Sequence, residues 1–125
     1  MSAEHKEIVH KIDAAFLEGN IEGFLSHCTD DVAWTIAGET SLSGKAAIRE
    51  WMGSTEMEPP KLTVDNVIAE GDFATAYGKM TMKGESGADE NYSYCDIYRF
   101  SGDKVSELTS YVVRTDAKAE GASNV

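Results

Sequence analysis

Across residues 4–18 the apolar positions Ile8, Ile12 and Phe16 recur every four residues, with Val9 and Ala15 widening the stripe, which predicts an amphipathic helix halted at Gly19-Asn20. A shorter helix follows, carrying Ile21, Phe24, Leu25 and Cys28 on one side and ending in Thr29-Asp30-Asp31. Residues 32–37 read as a strand and 38–44 as a loop, whose Ser43 caps a third helix running to Met52 with Ile48, Trp51 and Met52 on a shared face. Pro59-Pro60 closes the helical half, because neither ring nitrogen can donate a backbone hydrogen bond. Beyond it the period becomes two: residues 61–70, 73–83, 91–100 and 104–114 are extended segments separated by Gly71-Asp72, by 84–90 and by Ser101-Gly102-Asp103. Helices followed by a meander of long strands predict an α+β fold, with N-terminal helices packed on one strongly curved antiparallel sheet that encloses a pocket. A single domain over 1–116 is expected, with 117–125 a loose C-terminal tail of low apolar content.

Within the third strand of the meander, alternation puts Tyr92, Tyr94, Asp96, Tyr98 and Phe100 on one face. A carboxylate among four aromatics loses hydration, so it either finds donors or gives up its charge through a raised pKa. Asp96 is therefore the candidate catalytic acid or base. The plainer alternatives are an Asp at the wet rim of a cavity or one held by backbone donors.

Charge and composition narrow the partners. The net charge is −11, from 22 acidic and 11 basic residues, and no Lys/Arg cluster could neutralise phosphates, so neither nucleic acid nor an anionic membrane is expected. With 42% hydrophobic and 26% charged residues the chain has the balance of a globular protein. The first residues lack a basic start followed by an apolar core, and no stretch has the roughly 20 apolar residues of a membrane span, so a cytoplasmic protein is expected. Cys28 and Cys95 have no metal-binding or redox spacing and are read as reduced thiols. His5 and His10 lie about 140° apart around a helix and cannot chelate one metal together. His27 and Cys28 are helical neighbours whose side chains diverge, which argues against a nucleophile pair. Glycine-rich phosphate loops and Gly-x-Ser-x-Gly elbows are missing, and neither metal nor cofactor is expected.

Two stretches carry a family resemblance. Asp30-Asp31-Val32-Ala33-Trp34-Thr35-Ile36-Ala37-Gly38, continued by Leu42-Ser43-Gly44-Lys45-Ala46-Ala47-Ile48-Arg49-Glu50-Trp51, resembles the SnoaL-like branch of the nuclear-transport-factor-2-like superfamily. So does Asp96-Ile97-Tyr98-Arg99-Phe100-Ser101-Gly102-Asp103-Lys104-Val105, which corresponds to the last hairpin of that family. The resemblance spans residues 4–115 and implies a cone-shaped α+β barrel, usually dimeric through the outer face of its sheet. It implies little about reaction, because the family holds isomerases, cyclases, hydrolases, dehydratases and proteins with no known reaction. Set against the ketosteroid isomerases, Asp96 falls on their oxyanion-hole carboxylic acid, which serves as a standard example of a carboxyl kept neutral in an apolar site. The tyrosine of their first helix corresponds to Ile12 and their general base to Ile36, so the trio is incomplete and isomerisation by that mechanism is not expected. The last-strand aspartate of the related epoxide hydrolases would fall at about Ser110. The single acid/base aspartate of the polyketide cyclases is a lighter requirement, which leaves single-acid chemistry open.

Around Asp96, a symmetric hairpin about 84–90 would set Lys79 opposite Asp96, Tyr77 opposite Tyr98 and Thr81 opposite Tyr94, turning Lys79 into the cavity; a slip of one residue would send Lys79 outside and bring Ala76, Gly78, Met80 and Met82 inward. Trp34 and Trp51 are candidate stacking surfaces for a planar ligand, or ordinary core. Tyr77, Tyr94 and Tyr98 could donate phenolic protons to a ligand or satisfy their hydroxyls within the protein. The first reading is a homodimeric protein whose cavity takes a small lipophilic or aromatic molecule and acts on it by isomerase, cyclase or lyase chemistry at Asp96. The alternatives are a binding module without turnover and a dimeric structural module.

Overall fold

The computed structural model describes residues 2–53, 61–84 and 86–115; Pro59-Pro60 and the C-terminal tail lie outside them. Three helices precede most of the sheet: α1 (Ser2–Leu17), α2 (Ile21–Leu25) and α3 (Lys45–Gly53), with β1 (Cys28–Ile36) and β2 (Thr40–Ser43) between α2 and α3. The long strands β3 (Lys61–Glu70), β4 (Phe73–Lys83), β5 (Asp89–Ser101) and β6 (Lys104–Arg114) follow. The six strands form one sheet in the order β2-β1-β6-β5-β4-β3. All pairs are antiparallel except β1 with β6, which run parallel and are separated in the chain by one helix and four strands.

The second helix stops at Leu25 rather than reaching Asp31, since Cys28 already pairs with Val105. The loop expected at 38–44 contains β2, which pairs along β1 from Ala33 to Ile36 and leaves only a tight turn through Gly38 at φ 82°. Ladder irregularities at Cys28/Ala33, Val64/Asn66 and Arg99/Phe100 bend the sheet, as an extra unpaired residue in one strand does. Helix α1 lies across β3 and β4 on the concave side, and Val9, Ile12, Phe24, Leu25, Val32 and Leu108 are fully buried there. Arg49 of α3 donates two hydrogen bonds to Glu22 of α2, at 2.6 and 3.0 Å, joining the two short helices over the end of the core. Among the described residues no helix is long and apolar enough to cross a membrane.

Candidate functional site

Strand β5 alternates as its sequence requires. Tyr94, Tyr98 and Phe100 are buried on the face covered by α1, and Asp96 shares that face while remaining partly accessible. Opposite these bulky side chains β4 presents small ones: Gly78 faces Tyr94, Ala76 faces Asp96 and Ala74 faces Tyr98. On the other side β6 places Ser110 directly across from Asp96. The Ser110 hydroxyl donates to the Asp96 carboxylate and accepts the indole N–H of Trp34 at 3.0 Å. An indole N–H can only donate, so it occupies an acceptor site on Ser110 and leaves the hydroxyl proton for the acid.

A second carboxyl comes from the first helix. Asp13 lies four residues after Val9 and three before Phe16, inside the buried stripe of α1, and is 4% exposed. Among the described residues five buried side-chain atoms have no hydrogen-bond partner, and four of them are here: both carboxyl oxygens of Asp13 and the hydroxyls of Tyr94 and Tyr98. Orphaned buried polar atoms are few in native folds, so their clustering around one partly accessible acid marks this face as the candidate site.

Both carboxyls are shifted from the ordinary aspartate range. Burial pushes Asp96 up to about 6 against the Ser110 hydrogen bond, which favours the ionised form. Burial, and after it the charge of Asp96, push Asp13 up to about 7. Burial first, then the two acids, raise the phenols of Tyr94 and Tyr98, which stay protonated and able to donate. The arrangement can therefore exchange a proton near neutral pH, a capacity an ordinary surface aspartate lacks.

The remaining candidates divide between the two sides of the sheet. Trp34 is buried; its ring meets Phe24 at 5.6 Å, Phe16 at 6.1 Å and the edge of Trp51 at 5.8 Å, and Trp51 is partly exposed on α3. Lys79 and Tyr77, which the symmetric register would turn inward, lie on the outer face as the slipped alternative has it: Tyr77 is 40% exposed, Lys79 is exposed and pairs with Asp65 at 3.6 Å, and Ala76 and Gly78 are buried. The symmetric register about 84–90 is corrected by pairing that continues to Lys83 opposite Asp89, so that Tyr94 faces Gly78 rather than Thr81. That shift is by three places, and an odd shift turns every side chain of β4 to the other face. Two site residues escaped the sequence reading. Asp13 had a signal, a carboxylate inside the apolar stripe of the first helix; the sequence marks Ser110 only as the position of an absent aspartate, and its role beside Asp96 had no signal until their pairing was known.

A profile of the SnoaL-like domain matches residues 9–108. Among solved structures, an NTF2-like protein of unknown function from Cytophaga hutchinsonii is 30% identical, with 86% of this chain and 98% of that one covered and a TM-score of 0.73. A candidate SnoaL-like polyketide cyclase from Jannaschia sp. is 12% identical over 89% of this chain and 86% of that one, at a TM-score of 0.79. An LEH-like epoxide hydrolase from M. tuberculosis is 10% identical over 89% and 84%, at 0.78. These last two share the fold alone. No curated protein matches.

Proposed function

The chain belongs to the SnoaL-like domain family, and from that premise we propose that it is a small-molecule enzyme of the isomerase, cyclase or lyase type, working on a lipophilic or aromatic substrate by proton transfer at Asp96. The observation that carries this is Asp96 itself, a partly accessible carboxyl among buried aromatics whose pKa is raised to about 6. Such a group can take a proton from carbon next to a carbonyl. The C–H bond breaks, an O–H bond forms on Asp96, the electron pair moves through the new C=C bond onto the carbonyl oxygen, and the proton returns at another carbon or follows a leaving group out. Tyr94 and Tyr98, with hydroxyls that have no partner in the fold, are the proposed donors for the oxygen that gains charge. Trp34 and Trp51 supply an aromatic wall suited to a planar substrate. Ile12 and Ile36 stand where the ketosteroid isomerases carry a tyrosine and a base, so the proposed chemistry is that of one exchanging acid rather than of that trio.

The proposal includes a homodimer and residence in the cytoplasm. Exposed apolar side chains on the outer sheet face, Ile68, Phe73, Tyr77, Tyr111 and Val113, support the first, and the free thiols of Cys28 and Cys95 support the second.

The test is deuterium exchange into a panel of aromatic and alicyclic ketones in D₂O, read by mass spectrometry. Wild type is expected to label at least one member, and D96N to lose about 10²-fold or more of that rate while keeping its fold. A ketone that binds both proteins and is labelled by neither would establish a binding module and overturn the enzyme reading.

A further inference from the structure

Two carboxyls bear on this site, the charge of Asp96 raising Asp13, but they differ in what surrounds them. Asp13 is buried on α1 with no hydrogen-bond donor to either oxygen. Asp96 is partly accessible and has one donor, Ser110, directly across the β5–β6 ladder. Ser110 is itself oriented from behind, because the Trp34 indole N–H occupies an acceptor site on its Oγ at 3.0 Å. A carboxyl without donors in a buried site favours its neutral form, whereas one that accepts a hydroxyl hydrogen bond favours its ionised form. Two carboxyls in electrostatic contact resist carrying two charges, so over a range of pH the pair holds one proton.

We propose that Asp13 and Asp96 form a one-proton unit of fixed polarity, in which Asp13 keeps the proton and the Trp34–Ser110 relay holds Asp96 ionised as the member that meets a ligand as a base. Asp13, Ser110 and Trp34 are positioning residues: they act through Asp96. The assignment deepens the acid/base function proposed above, and its catalytic meaning rests on that reading. It also reverses the role that resemblance to the ketosteroid isomerases suggests for Asp96, which there corresponds to a neutral donor.

The titratable groups that face the pair do not undo this polarity. Tyr94 and Tyr98 on β5 and Cys28 at the start of β1 are raised by burial, and Cys95 on β5 is raised as well, so all four are neutral in the range where the acids titrate. Asp65 on β3 adds negative charge but is paired with Lys79. His5, the other buried titratable group of α1, donates from Nε2 to the Gly102 carbonyl at 3.0 Å and stacks on Phe100 at the far turn of the β5–β6 hairpin. Both acids are raised above the ordinary aspartate range, by burial first, and Ser110 opposes that rise at Asp96 alone.

Carboxyl ¹³C NMR of aspartate-labelled protein, titrated from pH 4 to 9 and assigned with D13N and D96N, tests the assignment. The Asp96 resonance is expected to move mainly in the lower of two steps and Asp13 in the upper. Ser110→Ala should raise the Asp96 step by roughly one pH unit, the scale of one charge-assisted hydrogen bond. Ser110→Thr should restore it, and Trp34→Phe should move it the same way by less. Asp13 titrating before Asp96, or an Asp96 step unmoved in Ser110→Ala, would overturn the proposal. No substrate is needed, so the two readings fail separately: the predicted titration without ketone exchange would overturn the enzyme reading alone, and reversed titration with exchange intact would overturn the polarity alone.

Discussion

Asp13 occupies a helix position that a leucine would fill at a gain, so its carboxyl weakens the fold whenever it is charged. Its folded-state pKa of about 7 lies above the ordinary aspartate value of 3.8, and that of Asp96, about 6, does too. Between the unfolded and folded values the native chain binds more protons than the unfolded one, so stability falls as pH rises. The fold should be most favoured by this pair below the ordinary aspartate range and lose on the order of several kcal/mol by about pH 8, after which the loss levels off. His27 works against this slope: burial lowers its pKa, so its contribution to stability grows as pH rises through the unfolded histidine value. The half-exposed ion pairs that lower Glu22 and Asp89 contribute throughout this window and lose that contribution only as pH falls below the ordinary carboxylate range. Urea denaturation should therefore find D13N more stable than wild type by about 1–3 kcal/mol at pH 8 and by clearly less at pH 4.5; an equal difference at both pH values would contradict the account. The residue was legible in principle. Val9, Ile12 and Phe16 define a stripe that contains position 13, and a stripe read for its apolar members passes over the charged one it encloses. Asp96 was visible because alternation in a strand places every second residue without reference to any partner.

Strand boundaries came through almost intact at the element scale, while strand pairing did not. Residues 61–70, 73–83 and 104–114 are strands with the limits that their glycine and aspartate breaks predict, because a break is a local property. The register of β4 against β5 depends on how far pairing runs into the connection, and extension to Lys83–Asp89 moved Lys79 and Tyr77 to the outer face. β2 was missed because four residues beside glycines carry too short a pattern to register. Gly78 shows how the pairing shapes the site. A Cβ built there would lie 1.9 Å from the Thr63 carbonyl oxygen and 3.0 Å from the Asp65 nitrogen, where β3 bulges between Val64 and Asn66. Both close atoms are backbone, so only a shift of β3 could relieve the contact. Gly78→Ala should cost about 2 kcal/mol or more in equilibrium denaturation and should disturb the ring resonances of Tyr94 opposite it. An unchanged denaturation midpoint would mean that the two strands approach less closely than described.

Folding leaves the whole molecule with an apolar surface that its charge does not protect. Tyr77, Cys95 and Tyr111 form a continuous row across three strands of the outer face, Ile97 lies in the next row, and Val113, 64% exposed, extends the patch along β6. Ion pairs stand beside it, Arg99 with Glu107 and Lys79 with Asp65, and the Arg99 guanidinium covers the Phe73 ring at 5.8 Å. An apolar centre with charged neighbours fits the homodimer proposed above, for which a twofold axis would need no second surface. Two opposing terms then set the affinity. Burial of the patch favours association, while two chains of net charge −11 repel at long range, and added salt screens only the second term. The proposed dimer should therefore tighten as salt is raised, the reverse of an interface held by ion pairs. Sedimentation equilibrium at low and physiological ionic strength would show this directly. Replacing Tyr111 with Lys and Val113 with Glu together places charge at the centre of the patch, and should shift the chain to monomer at micromolar concentration without altering the carboxyl titration on the opposite face. A wild-type chain that stays monomeric at high salt and high concentration would overturn the proposal that the outer face meets a second copy.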